Sequence, residues 1–222
     1  MSKGESIMLH YLPGCDVRKN HPEAVAKMQA YMENKGIVID QCCRVKNKFL
    51  QDGDTIIHNC TLCQLILNEV YPDNECLSLY EYVLNDRSFP WADHQGEMIT
   101  IQDCWRSRNN KPLQFAIREC LKRMHYTIIE MDENYSKTTY CGVWLNNAPE
   151  KDCIEIAPKT FAKIAKNHLH LLSLEEQIKN MEQWVQQYTT KQILVYCNGC
   201  EKGIRLGGKR PIHLIELLSE GL

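Results

Sequence analysis

Two Cys-x-x-Cys pairs carry the most specific chemistry in this chain of 222 residues. Cys60-Thr61-Leu62-Cys63 follows the run Asp54-Thr55-Ile56-Ile57-His58, and Cys197-Asn198-Gly199-Cys200 follows a second apolar run over residues 192–196. Each pair is preceded in its own half by further cysteines at comparable places: Cys15, Cys42 and Cys43 before the first, Cys104 and Cys141 before the second. Thiolates grouped in this way bind zinc or iron–sulfur clusters. A bare redox Cys-x-x-Cys would need no additional aligned cysteines. Five thiols in the first set are one more than a tetrahedral zinc site uses, which favours a cluster there. Neighbouring side chains on an extended segment point to opposite faces, so Cys42 and Cys43 both ligate only if the backbone turns sharply between them. Otherwise one is a ligand and the other a buried thiol.

Composition narrows the context. A net charge of −2 and a pI near 6.4 give no long-range attraction for nucleic acid or an acidic membrane surface. No apolar run approaches the roughly 18 residues of a membrane span, and Met1-Ser2-Lys3-Gly4-Glu5-Ser6 lacks the apolar core of a signal peptide. The expected location is therefore cytoplasmic, where thiols stay reduced and twelve cysteines serve metal or redox chemistry rather than disulfides. No Gly-rich phosphate loop or Gly-x-Ser-x-Gly nucleophile motif is present, so hydrolase and nucleotide-binding readings have no support.

The positioning elements recur in the same order in both halves. Residues 7–11 read as a strand broken by Pro13-Gly14, with Cys15 on the loop at its carboxyl end, where doubly wound sheets place ligands. A helix from Pro22 to a stop at Gly36 follows, then the strand 37–39 leading to Cys42-Cys43. The polar segment 44–52 has room for a helical turn or two. After Cys63 a helix over 64–70 offers its N-terminal amides to the sulfurs, and a helix over 77–84 closes the half. Residues 86–96, with Pro90, Asp93 and Gly96, connect the halves. The second half reads as a strand at 98–101, a Pro112-initiated helix to Met124 with Phe115, Ile117 and Leu121 on its apolar face, a strand at 126–130, Cys141, and a closing helix over 212–218. Between Cys141 and Cys197 lie 55 residues, against 16 between Cys43 and Cys60. Most of that insertion reads as one long helix over 158–188, whose Leu169, Leu172, Ile178, Met181, Trp184 and Val185 suit covering a sheet face. The fold class expected is α/β, with two pseudo-repeated cysteine-rich halves, 1–90 and 91–222, packed as one unit.

Taken together, Pro13-Gly14-Cys15, Cys42-Cys43, Asn59-Cys60-Thr61-Leu62-Cys63, Asp103-Cys104, Cys141-Gly142, Cys197-Asn198-Gly199-Cys200 and His213-Leu214-Ile215-Glu216-Leu217-Leu218 resemble the cysteine-rich CCG-domain family, typified by the CCG-domain component of heterodisulfide reductase. The resemblance spans nearly the whole chain. It implies α/β CCG domains holding [4Fe-4S] clusters, in the noncubane form at the first site, with electrons passed to a small disulfide substrate or exchanged with an iron–sulfur or flavoprotein redox subunit. It assigns Cys15, Cys42, Cys43, Cys60 and Cys63 to the first site and Cys104, Cys141, Cys197 and Cys200 to the second. Tyr140 stands where the family has the first cysteine of its pair, so the second site is expected to hold an ordinary [4Fe-4S] cluster or zinc. Arg44 replaces the family's glycine after the first pair. The alternative of a different class is a non-enzymatic zinc-binding structural or interaction protein, with Cys42 or Cys43 spare.

Other residues have plainer explanations. Cys76, Cys120 and Cys153 fall outside both sets and read as buried thiols. His58 and His213 read as structural histidines, and Trp91, Trp105, Trp144 and Trp184 as core or interface residues. The cations of Asp16-Val17-Arg18-Lys19 and Arg106-Ser107-Arg108 follow the leading cysteine of each half. They are either solvated loops or charges that offset the thiolates or meet an anionic substrate.

Overall fold

The computed structural model describes residues 7–44 and 50–222. The Met1 to Ser6 stretch, and with it the signal-peptide reading, lies outside the described residues, as do positions 45–49 of the polar 44–52 segment.

Two four-stranded parallel sheets with the same strand order form the frame. In the first half, β1 (Leu9–Leu12) lies between β2 (Val38–Ile39) and β3 (Thr55–His58), and β4 (Glu75–Ser78) forms the edge. In the second, β5 (Met98–Ile101) lies between β6 (Thr127–Ile129) and β7 (Gln192–Val195), with β8 (Ile212–His213) at the edge. Leu12 pairs with His58 and Ile101 with Leu194, so β1 and β3, like β5 and β7, end together. The strand order reverses between those partners, which makes their carboxyl ends the ligand position of a doubly wound sheet.

In the first half α1 (Cys15–Asn20) and α2 (Pro22–Asn34) follow β1, α3 (Thr61–Val70) follows β3, and α4 (Leu79–Asn85) closes. In the second, α5 (Lys111–Arg123) follows β5, α6 (Lys151–Ile156), α7 (Pro158–His168) and α8 (Leu174–Trp184) form the insertion, α9 (Asn198–Leu206) follows β7 and α10 (Leu214–Ser219) closes. The helices expected over 77–84 and 212–218 each begin as a short edge strand. Ser78 caps α4 in a capping box with Glu81, and His213 caps α10 in one with Glu216. The two capped tetrapeptides, Ser78-Leu79-Tyr80-Glu81 and His213-Leu214-Ile215-Glu216, are therefore one repeated feature. Phe115, expected on the apolar face of α5, is 63% exposed, while Leu113, Ile117, Cys120 and Leu121 are buried.

The halves exchange equivalent surfaces: α4 packs on α5, and α10 packs on α2. One core cluster runs through both sheets, joining Met28, Ile57 and Tyr80 to Ile99, Leu121 and Leu214, and a second packs Leu12 and Ile56 of the first sheet against α3 and the insertion. The expected long helix over 158–188 is instead two, α7 and α8, with a short turn over Val185–Gln187, and it is interrupted between His168 and the Ser173 capping box that starts α8. A proline at the first helical position and a capped serine each begin a new helix. The insertion packs on helices and on the sheets they flank. Phe161 and Cys153 pack with Ile66 and Leu67 of α3, and Met181 of α8 and Val185 just after it approach Gly203 of α9 and Gly207 at its end. Glu69 of α3 accepts from the backbone of Lys159 (3.0 Å) and Thr160 (2.7 Å), fixing the start of α7 on the first half. No helix among the described residues is long and apolar enough to cross a membrane.

His21, between α1 and α2, pins the halves together. Its Nε2 lies 2.9 Å from Glu201 of α9 and its Nδ1 3.3 Å from Glu216 of α10, and its ring stands 4.8 Å from that of His213. Burial opposes its charge, but the two carboxylates outweigh burial and raise its pKa to about 9. A folded-state pKa above the unfolded value of 6.5 stabilises fully below pH 6.5 and is lost as pH rises through about 9. His213 beside it is held down to about 4 by burial and by His21, so its contribution is lost as pH falls from 6.5 toward 4. Chemical unfolding of wild type and His21→Gln across roughly pH 5 to 10 should show the largest difference near pH 6 and a progressively smaller one toward pH 10. A pH-independent difference would show that His21 is neutral in the fold.

Candidate metal centre

The cysteines of both expected sets lie at or just beyond the carboxyl ends of strands, on the loop or first turn that follows, except Cys141, which comes later on the long loop after β6, beyond a turn over Tyr135–Lys137. Cys15 begins α1, Cys42 and Cys43 follow β2, and Cys60 and Cys63 enclose the N-terminus of α3. The backbone turns at Cys43 and Arg44, and this turn lets both side chains of the vicinal pair join the group. The thiols follow one another as neighbours from Cys15 through Cys42 and Cys43 to Cys63 and Cys60, and a hydrogen bond of 3.2 Å joins Cys43 Sγ to Cys63 Sγ. Hydrogen bonds from Cys42 and Cys63 bring the Cys43 thiol down to about 5, and one from Cys63 brings Cys60 to about 7 against burial. Cys15 and Cys63 are pushed up, Cys15 first by its bond to Cys42 and Cys63 by its bonds to Cys43 and Cys60. Cys15 is exposed and Cys42 half-buried, so this set has an open edge.

The second set is closed. The sulfurs of Cys104, Cys197 and Cys200 lie within 4.8 Å of one another, Cys141 hydrogen-bonds Cys104, and all four residues are buried. Thiolates about 2.3 Å from one tetrahedral ion stand about 3.8 Å apart, so this triad could hold a metal ion. Burial disfavours the Cys104 thiolate, yet hydrogen bonds from Cys141, Cys197 and Cys200 hold its pKa well below the ordinary thiol value. An all-sulfur donor set selects soft metal centres, zinc, copper(I) or iron–sulfur.

Arg118, Tyr135 and Tyr196, which give no signal in the sequence, join Asp103 in holding Cys104 in place. Tyr196 Oη accepts from the Cys104 amide at 3.0 Å and donates to Asp103 at 2.9 Å. Asp103 is clamped by both Nη atoms of Arg118 (3.2 and 2.7 Å) and by the Tyr135 amide at 2.7 Å. Tyr140 does not face the sulfurs. It stacks on Trp184 at 4.8 Å and donates to the Cys200 carbonyl at 3.2 Å, so it supports the backbone of the second Cys-x-x-Cys. Gly142, at φ +58°, has no alternative residue: a Cβ there would overlap the Gly199 carbonyl.

The two sets adjoin. Thr61, inside the first Cys-x-x-Cys, lies 3.9 Å from the Cys104 sulfur, and Arg106 donates to Cys197 Sγ at 2.7 Å. A cavity of about 760 Å³ between the halves reaches Cys60, Arg106, Asn198 and Cys153. Lys19 lines it, whereas Arg18 bonds the Gln41 carbonyl and Arg108 stacks on Trp105, so the loop cations divide between packing and the site. Cys76 and Cys120 lie outside both sets, the latter donating to the Tyr80 carbonyl at 3.7 Å. Cys153, from the insertion, is buried beside Cys43 and Cys63. His58 is buried without a side-chain partner and His213 is a helix cap; neither meets a sulfur.

No protein-family model, curated protein or solved structure matches the chain.

Proposed function

We propose that this chain is an iron–sulfur redox protein of the heterodisulfide reductase kind, an oxidoreductase that passes electrons to a small disulfide or to a partner redox subunit. The observation that supports this most is the convergence of nine cysteines into two adjoining sets at the switch points of two like sheets. Cys15, Cys42, Cys43, Cys60 and Cys63 would hold a [4Fe-4S] cluster of noncubane form, and Cys104, Cys141, Cys197 and Cys200 an ordinary [4Fe-4S] cluster. Such clusters supply one-electron transfer. The chain's own residues do the rest: α3 directs amides at Cys60 and Cys63, the apolar packing of Leu12, Ile66 and Phe161 excludes water behind the first set, and the exposed edge at Cys15 and the adjoining cavity admit a substrate or partner.

The closed, buried geometry of the second set also suits zinc, and a zinc-binding structural or interaction protein is the second reading. Anaerobic purification with iron, sulfide and zinc analysis separates the two. With iron bound, Cys42→Ser and Cys43→Ser should each convert or remove the first cluster, change its electron paramagnetic resonance spectrum and abolish disulfide cleavage without unfolding the chain. Wild-type iron, sulfide and activity in both variants would defeat the reductase reading.

A further inference from the structure

Arg106 is a feature of the site that the repeat does not duplicate. It stands two residues after Cys104, where the first half has Val17 two residues after Cys15, and Val17 is buried in the core. The tight turn over Trp105–Ser107 aims the guanidinium back across the second Cys-x-x-Cys. Its Nη2 donates to Cys197 Sγ, its plane lies over Trp144 at 4.6 Å, and its Nε is buried without a partner. Gly199 makes room for it: a Cβ there would stand 2.8 Å from Nη2 and 3.3 Å from Trp144 Cβ. Among the described residues no carboxylate pairs with Arg106. The cation near the first set is different, because Arg44 is shared by Glu150 and by Asp152 at 2.9 Å. The first set therefore faces a neutralised cation and has an exposed edge, whereas the second is buried and faces an uncompensated one.

We propose that Arg106 is a positioning residue that sets the reduction potential of the second cysteine set above that of the first, making the second set the place where an electron comes to rest. A reduced centre carries one more negative charge than its oxidised form, and a fixed guanidinium in hydrogen-bond contact with a ligand sulfur favours that charge, the more so where solvent is excluded. The same cation lines the cavity with Cys60, so its field reaches the first set more weakly, across space rather than through a bond. This proposal rests on the iron–sulfur reading.

The test is a potentiometric titration followed by electron paramagnetic resonance on anaerobically purified wild type, Arg106→Lys and Arg106→Gln, with the second-set signal identified by its loss in Cys197→Ser. In wild type the second set should be reduced at the higher potential. Arg106→Gln should lower its reduction equilibrium constant at least tenfold, about 59 mV for a one-electron couple, and shift the first set less. Arg106→Lys keeps the charge and should retain most of the wild-type midpoint. Equal midpoints in wild type, or an unmoved second-set midpoint in Arg106→Gln, would overturn the proposal. Protein that purifies with zinc and no iron would defeat the iron–sulfur reading instead. The same variants are then compared by metal release to a chelator, where Arg106→Gln should lose metal about 10- to 100-fold more readily as an outer-shell partner. Unchanged release there removes any role for Arg106 at the site.

Discussion

A Cys104→Ser protein should lose the metal of the second site while keeping that of the first, and it should be the most damaging single serine replacement in that set. Cys104 is the hub: its sulfur lies in the triad with Cys197 and Cys200, and Cys141 stands beside it. Serine keeps the volume and the loop but offers a hard, weakly acidic oxygen where soft thiolate is required. Metal retention at the second site should fall by more than the roughly 100-fold that marks the upper range for losing an outer-shell partner. Metal analysis and the resonance spectrum check this, with circular dichroism confirming the fold. Equal losses from Cys104→Ser and Cys141→Ser would mean that the four sulfurs are equivalent and that their arrangement does not rank them. Loss of the first-site signal alone would mean that the sites are exchanged.

Local signals carry most of the frame. The β-branched and apolar runs at 55–58, 98–101 and 192–195 are strands, Pro22 and the Lys111-Pro112 step begin helices, and Gly36, at φ +75°, ends the turn after α2. The cysteine spacing groups the sulfurs because each set sits on loops at the ends of adjacent parallel strands, a placement that order along the chain already encodes. The edge strands β4 and β8 are not legible in the sequence. Each is a few residues long and runs straight into a capped helix, so its apolar residues share the helical period that follows. The stretch 158–188 reads wrongly as one helix for a related reason: periodicity persists through it, but the break after His168 depends on the Ser173 cap. The side chains that orient the site are least visible, since Arg118 and Tyr196 lie far from Cys104 in sequence and each is unremarkable alone; Asp103 shows only as part of the Asp103-Cys104 motif.

Arg118→Met should destabilise the protein by about 3–5 kcal/mol, the cost of leaving a buried carboxylate without its cation. For a chain of this length that corresponds to a melting temperature lower by roughly 6–20 °C. Asp103 is fully buried and Arg118 only 5% exposed at the side chain. The guanidinium spans Asp103 and Glu130 and lies over the Tyr135 ring at 3.5 Å. Glu130 is 32% exposed and can turn to solvent when the cation is removed. Asp103 cannot, and it is the residue that holds Tyr196 on the Cys104 amide. The site should therefore loosen with the fold, and second-site metal should be released faster in Arg118→Met even well below its melting temperature. Adding Asp103→Asn removes the stranded charge while keeping an acceptor for Tyr196, so the double variant should recover part of the lost stability and slow the metal release. A double variant less stable than Arg118→Met would show that Asp103 acts through its charge on another partner, and that Arg118 is not what holds the Cys104 loop.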